Sequence, residues 1–218
     1  MQLWTLWVEF LGGWLDSLAA LPLLGSGLAI IALTLMLRTL LLPLSWSSAY
    51  GTCVHRKRVA GLRPELERIR RLYGDRPEQM VEQTMKLYRR RGLRMIESRP
   101  ILGALVQMPV LLGMFSVLRE GTQQARFLWV GSLARPDFWI ALLAGITTAL
   151  MMAANPDLPE QTRLILTVVP ALIAFVFALK FASGLGLYWV VSNGFTAAQT
   201  ALVHRTVERR IQSGKLRL

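Results

Sequence analysis

Apolar positions run almost unbroken through five stretches of the chain, at about residues 27–46, 101–118, 138–153, 164–180 and 185–203. About 20 such residues cross a bilayer core as a helix, so each stretch predicts a span, the shorter ones with tilt or local bilayer thinning. Between the first two stretches the pattern changes. Leu62, Leu66, Ile69 and Tyr73 recur at three- and four-residue steps, as do Val81, Met85 and Tyr88, which is the period of amphipathic helices. Gly74-Asp75-Arg76-Pro77 separates the two sets; Asp75 or Arg76 would cap the second helix, and proline is tolerated in its first turn. Residues 49–99 therefore predict an antiparallel helical hairpin, apolar along its seam, basic outside and mobile relative to the membrane body. A solvated loop that only sets topology would carry the same charge, though not the paired stripes. Ahead of the first stretch, Trp4, Trp7 and Trp14 predict an amphipathic helix on the outer interface, where indoles concentrate. Glu9, Asp16 and Pro22 speak against an extra span there, and the apolar start lacks the basic region of a cleaved secretory signal.

Composition sharpens this picture. The 218 residues are 53% hydrophobic and 17% charged, yet the net charge is +12. Residues 49–99 hold fourteen Lys/Arg against six Asp/Glu, residues 204–218 hold five against one, and the remainder balances. Basic segments stay in the cytoplasm. Five spans with the N-terminus outside and the C-terminus inside satisfy both clusters. The link 154–163 is then cytoplasmic without being basic, and Phe181–Gly184 must close a tight external hairpin. The expected fold is an all-α integral membrane protein. Its segments are an external amphipathic one (1–26), a first span (27–48), the basic hairpin (49–99), spans two to five (100–203) and a basic cytoplasmic tail (204–218).

Arg38 is the only Lys, Arg, Asp or Glu between Asp16 and His55, eleven residues from Gly27 and eight from Trp46. A guanidinium at such depth costs about 2.5–3.5 kcal/mol on insertion scales. No Asp or Glu lies in any apolar stretch to pair with it. It has polar company in Thr34, in Gln107 before Pro109, and in Tyr188, Ser192, Thr196 and Gln199, which share one face of the fifth stretch, flanked by Asn193 and Thr200. Such hydroxyls and amides can glue helices together inside lipid. An unpaired cation among them favours a hydrated cavity instead.

Enzymatic chemistry finds little support. His55 and His204 fall in the basic segments, and no carboxylate pair lies in a span; serine hydrolysis or an aspartyl mechanism there would need one or the other. One cysteine, Cys53, excludes an internal disulfide. No His/Cys/carboxylate cluster has metal spacing, and no glycine-rich phosphate loop is present. No cofactor is expected.

Several segments together resemble a known family. Thr34-Leu-Met-Leu-Arg-Thr-Leu-Leu-Leu-Pro-Leu44 resembles the first core span of the YidC family of membrane protein insertases, with an arginine followed five residues later by proline. Leu62-Arg-Pro-Glu-Leu, Tyr73-Gly-Asp and Leu87-Tyr-Arg are similar to its cytoplasmic hairpin, and Leu105-Val-Gln-Met-Pro-Val-Leu-Leu-Gly-Met-Phe115 to its second span. Phe127-Leu-Trp-Val-Gly-Ser-Leu-Ala-Arg-Pro-Asp137 and Gly184-Leu-Gly-Leu-Tyr-Trp-Val-Val-Ser-Asn193 are similar to the segment before its third span and the start of its last. The resemblance covers roughly residues 20–205. This chain differs in having Gly103 where the family has proline, and Phe181-Ala-Ser-Gly184 where it has Phe-Pro-Ala-Gly.

The resemblance implies a bacterial inner-membrane insertase and chaperone that works without nucleotide through a hydrophilic groove, open to cytoplasm and lipid but closed outside. Arg38, Thr34, Gln107, Tyr188, Trp189, Ser192, Asn193, Thr196 and Gln199 are the expected lining. Expected partners are nascent membrane proteins, the bilayer, the Sec translocon and the ribosome, with no sequence-specific nucleic acid. A small channel or transporter, or a non-catalytic translocon accessory, would use the same polar stripe and stands as the alternative.

Overall fold

The computed structural model describes residues 2–21, 25–94, 99–121, 125–156, 158 and 160–216. Pro22, Asp157, Pro159, residues 95–98 of the hairpin segment and residues 217–218 of the tail lie outside the described residues. Among those described, regular structure is helical apart from one isolated antiparallel bridge, Phe127 to Val130. The protein is all-α. In chain order the helices are α1 (Gln2–Ala19), α2 (Gly25–Leu40), α3 (Leu42–Gly61), α4 (Arg63–Tyr73), α5 (Pro77–Arg90), α6 (Arg99–Gly121), α7 (Phe138–Ala153), α8 (Glu160–Ala178) and α9 (Ser183–Gln212). They form two compact units: Met1–Pro43 with Leu105–Ala201, and Leu44–Ala104 with Leu202–Leu218.

The first unit is the apolar one. Its core gathers Leu11 and Leu15 from α1, Ile30, Leu33 and Leu37 from α2, Met114 and Leu118 from α6, Ile140 from α7 and Tyr188 from α9. Gly27 is buried with the Phe127 ring lying where a Cβ would stand, so only glycine lets this loop close over α2. α1 buries Leu11 and Leu15 and leaves Trp4 and Trp14 exposed. Trp7 instead lies half-buried and donates its indole N–H to the Pro109 carbonyl, 3.0 Å away.

α7 and α8 pack through small residues. A Cβ on Gly145 would stand 3.2 Å from both the Ala171 carbonyl oxygen and Phe175 Cβ, the close backbone approach that stabilises helix pairs in lipid. α8 contains the window Gln161–Ala178, the one described helix that is by itself long and apolar enough to cross a membrane. Only 11% of that window is buried, and Leu164, Ile165 and Ile173 are each more than half exposed. A core helix of a water-soluble domain would be covered; this surface suits hydrocarbon. The described apolar parts of α6 and α7, Gln107–Arg119 and Phe138–Ala153, are shorter.

The first apolar stretch departs from its expected form as one continuous helix. α2 stops at Leu40, Leu41 forms a turn and α3 starts at Leu42. Pro43 accounts for the break: it offers no N–H to the Thr39 carbonyl, crowds it, and disfavours helical backbone at the residue before it, while fitting the first turn of a new helix. Arg38 thus occupies the last turn of α2.

Residues 125–137 fold back on themselves and tie to α9. Phe127 and Val130 exchange backbone bonds of 3.0 and 2.8 Å, and the Ser183 and Gly184 N–H groups donate to the Arg135 and Leu133 carbonyls, each at 2.9 Å. Asp137 caps α7 by accepting from the Ile140 N–H at 2.9 Å.

The second unit holds the basic hairpin. Pro77 opens α5 behind Arg76 at the capping position. On α4 and its N-terminal capping position the inward residues are those the spacing predicts, Leu62, Leu66, Ile69 and Tyr73. On α5 the inward set is Met80, Thr84, Leu87 and Tyr88, while Val81 and Met85 are exposed. The expected stripe is therefore corrected by rotation of about one residue: both sets recur at helical spacing, and packing on α4 selects the one centred on Leu87. Arg91 bridges the helices through Glu65. In the same unit Cys53, Val203 and Val207 are buried together with Trp46, Tyr50 and Leu216 beside them.

Candidate functional site

α9 organises the polar residues of the apolar unit. It carries few charged residues until its final turns, so its hydroxyls and amides must find partners on neighbouring helices or in water. Successive residues on a helix are about 100° apart. Tyr188 and Ser192 consequently share one stripe, and Trp189 and Asn193 the adjacent one.

The first stripe meets α2 and α6. Arg38 directs Nε and Nη2 onto Ser192 Oγ, the Nε contact at 3.0 Å. This joins residues 154 positions apart in sequence. The four ion pairs among the described residues all lie in the second unit and none involves Arg38. A guanidinium has donors on Nη1 as well, and Arg38 is only partly buried, so a further acceptor can be met there. Gln107 Nε2 donates to the Tyr188 hydroxyl at 3.3 Å, although Pro109 lies two residues on in the same helix. The result is a row of neutral dipoles ending in one cation, with no carboxylate paired to it among the described residues.

The second stripe meets α7. Asn193 Nδ2 donates to Thr148 Oγ1 at 2.8 Å and Trp189 Nε1 donates to the same oxygen at 3.3 Å. Asn193 and Trp189 are thus placed on Thr148, and Arg38 on Ser192. Thr34 is fully buried and gives its hydroxyl to the Ile30 carbonyl of its own helix at 2.6 Å. Thr196 likewise donates to the Ser192 carbonyl at 2.9 Å, and Gln199 is buried.

Thr148 is the residue that pattern reading misses. Thr147-Thr148 was visible in the third apolar stretch, but spacing alone does not say which hydroxyl turns inward. His204 is also better enclosed than its basic neighbourhood suggests: it is buried, with Nδ1 3.3 Å from Cys53 Sγ in the second unit. Among the described residues no group of three or more His, Cys, Asp or Glu could hold a metal ion.

These features define a class: an all-helical protein with a lipid-suited apolar unit, crossed by a polar seam that ends in a cation. The family model of the 60Kd inner membrane protein matches residues 20–210, and the chain belongs to that family. It is 33% identical over 187 residues to the membrane protein insertase YidC of Hahella chejuensis, covering 84% of this chain and 32% of that protein. With the membrane protein insertase MisCA of Bacillus subtilis it shares 31% identity over 191 residues, 81% of this chain and 69% of that one. With YidC of Staphylococcus aureus the identity is 31% over 189 residues, 80% and 65% respectively. The chain thus matches about a third of the length of the Hahella relative and about two thirds of the other two.

Proposed function

We propose that this chain is a membrane protein insertase of the bacterial inner membrane, acting on nascent membrane proteins without nucleotide hydrolysis. The family and the names of its relatives support the insertase activity. The observation that carries the mechanism is Arg38, held by Ser192 between apolar helices with no carboxylate partner among the described residues.

In this reading Arg38 and Gln107, backed by the buried hydroxyls of Ser192 and Tyr188, face a hydrophilic groove open to the cytoplasm and to lipid. A client's polar external segment, often acidic, enters it transiently. Bare hydrocarbon would leave that segment's amides and carboxylates unsatisfied at several kcal/mol each; the seam offers donors, acceptors and one positive charge. The client's apolar helix then moves into lipid, driven by burial of its own surface. Five spans, N-terminus outside and C-terminus inside, place the basic hairpin and tail in the cytoplasm, where ribosome and Sec translocon would meet them. Salt-sensitive backbone contact suits any ribosomal RNA there.

Complementation in insertase-depleted cells tests this reading. Arg38→Ala is expected to reduce insertion of acid-tailed clients by about tenfold, near 1.4 kcal/mol of lost stabilisation, while Arg38→Lys retains much of it by keeping a point charge. Normal insertion of every client by Arg38→Ala would overturn the role of the charge. Ion flux through the purified protein in liposomes would favour the channel reading instead.

A further inference from the structure

The arrangement around α9 carries a second role, which rests on the insertase reading above. We infer that Thr148 is a positioning residue: it fixes the rotation of α9 and thereby presents Ser192 to Arg38. The Thr148 hydroxyl donates its own proton to the Ala144 carbonyl at 2.7 Å, which leaves both lone pairs of Oγ1 as acceptors. Asn193 Nδ2 takes one at 2.8 Å and Trp189 Nε1 the other at 3.3 Å. Trp189 and Asn193 are one turn apart on α9, so their convergence on a single oxygen sets both the rotation of α9 and its height along α7.

That setting matters because Ser192 is the next residue. A rotation of about 20° displaces a side-chain end lying about 5 Å from the helix axis by roughly 2 Å. The Nε contact between Arg38 and Ser192 is 3.0 Å long, so such a rotation breaks it. α7 is a firm reference for the lock, because its Gly145 is held closely against α8 and Thr148 is buried. The neighbouring Thr147 offers a control within the same helix: its hydroxyl goes to the Leu143 and Ala144 carbonyls at 2.8 and 3.2 Å.

The test is a set of variants read two ways. Insertion of an acid-tailed client is measured in depleted cells. In purified protein with Cys53→Ala, a cysteine placed at Thr196 reports α9 rotation through its labelling rate with a water-soluble maleimide. Thr148→Val is expected to lower insertion about threefold and to change the labelling rate; Thr148→Ser keeps the hydroxyl and restores both, and Thr147→Val changes neither. In an Arg38→Ala background Thr148→Val is expected to add no further loss, since the lock acts through Arg38. Asn193→Ala breaks the same lock from α9 and carries the test if Thr148→Val fails to accumulate. An unchanged labelling rate in Thr148→Val or Asn193→Ala, failure of Thr148→Ser to restore, or a multiplicative loss with Arg38→Ala overturns the inference. If Arg38→Ala leaves insertion intact while Thr148→Val still shifts labelling, the insertase mechanism fails and the lock stands.

Discussion

At the scale of single residues, Arg38 sets the terms. Its guanidinium lies in the last turn of α2 and is held by a serine, a partner that orients the charge without neutralising it. A carboxylate in the same place would pair with the cation and deny it to a client. Removing the serine hydroxyl forfeits a charge-assisted bond worth about 1.5–3 kcal/mol. Ser192→Ala is therefore expected to lower the thermal midpoint and to reduce acid-tailed insertion about threefold, less than the loss from Arg38→Ala; a midpoint equal to wild type would count against the bond. Arg38 and Ser192 were legible in the sequence because an isolated charge in apolar surroundings is costly wherever it falls, and because helical spacing collects hydroxyls. Thr148 was not, since two adjacent threonines in an apolar helix differ only in which neighbour each one meets.

Among the elements, packing decides what periodicity leaves ambiguous. α5 has two sets of residues at helical spacing that could face α4, and only contact with α4 selects Met80, Thr84 and Leu87 over Val81 and Met85. Leu87→Ala is expected to destabilise the hairpin by about 1–3 kcal/mol, read as faster hydrogen exchange of α4 and α5 amides, whereas Val81→Ala leaves exchange unchanged. Equal acceleration by both would contradict the register. The α7–α8 pair makes a sharper case, because the Ala171 carbonyl facing Gly145 is backbone and cannot swing aside. Gly145→Leu is expected to cost about 1–3 kcal/mol through overpacking, measured as a lower thermal midpoint in detergent. The break at Leu41 was written in Pro43, but the unbroken run of leucines around it reads as one helix until the lost backbone bond is counted.

For the whole molecule, the all-α character and the family follow from apolar runs and ordered motifs spread along most of the chain. The exposed apolar surface of α8 has a natural solvent in lipid and a poor one in water. The proposed orientation rests on two basic clusters. Cysteines introduced at Ser132 and at Asn155, labelled from either side of the membrane, are expected to react from outside and inside respectively; the reverse pattern would invert the topology. The central claim is that the seam ending in Arg38 receives a client. Its most direct measurement is photocrosslinking from a probe at Gln107, and from one beside Arg38 at Thr39, to a stalled membrane-protein nascent chain. Crosslinks to the client's polar external segment are expected from both positions, and crosslinks to partner subunits with none to nascent chain would contradict the account.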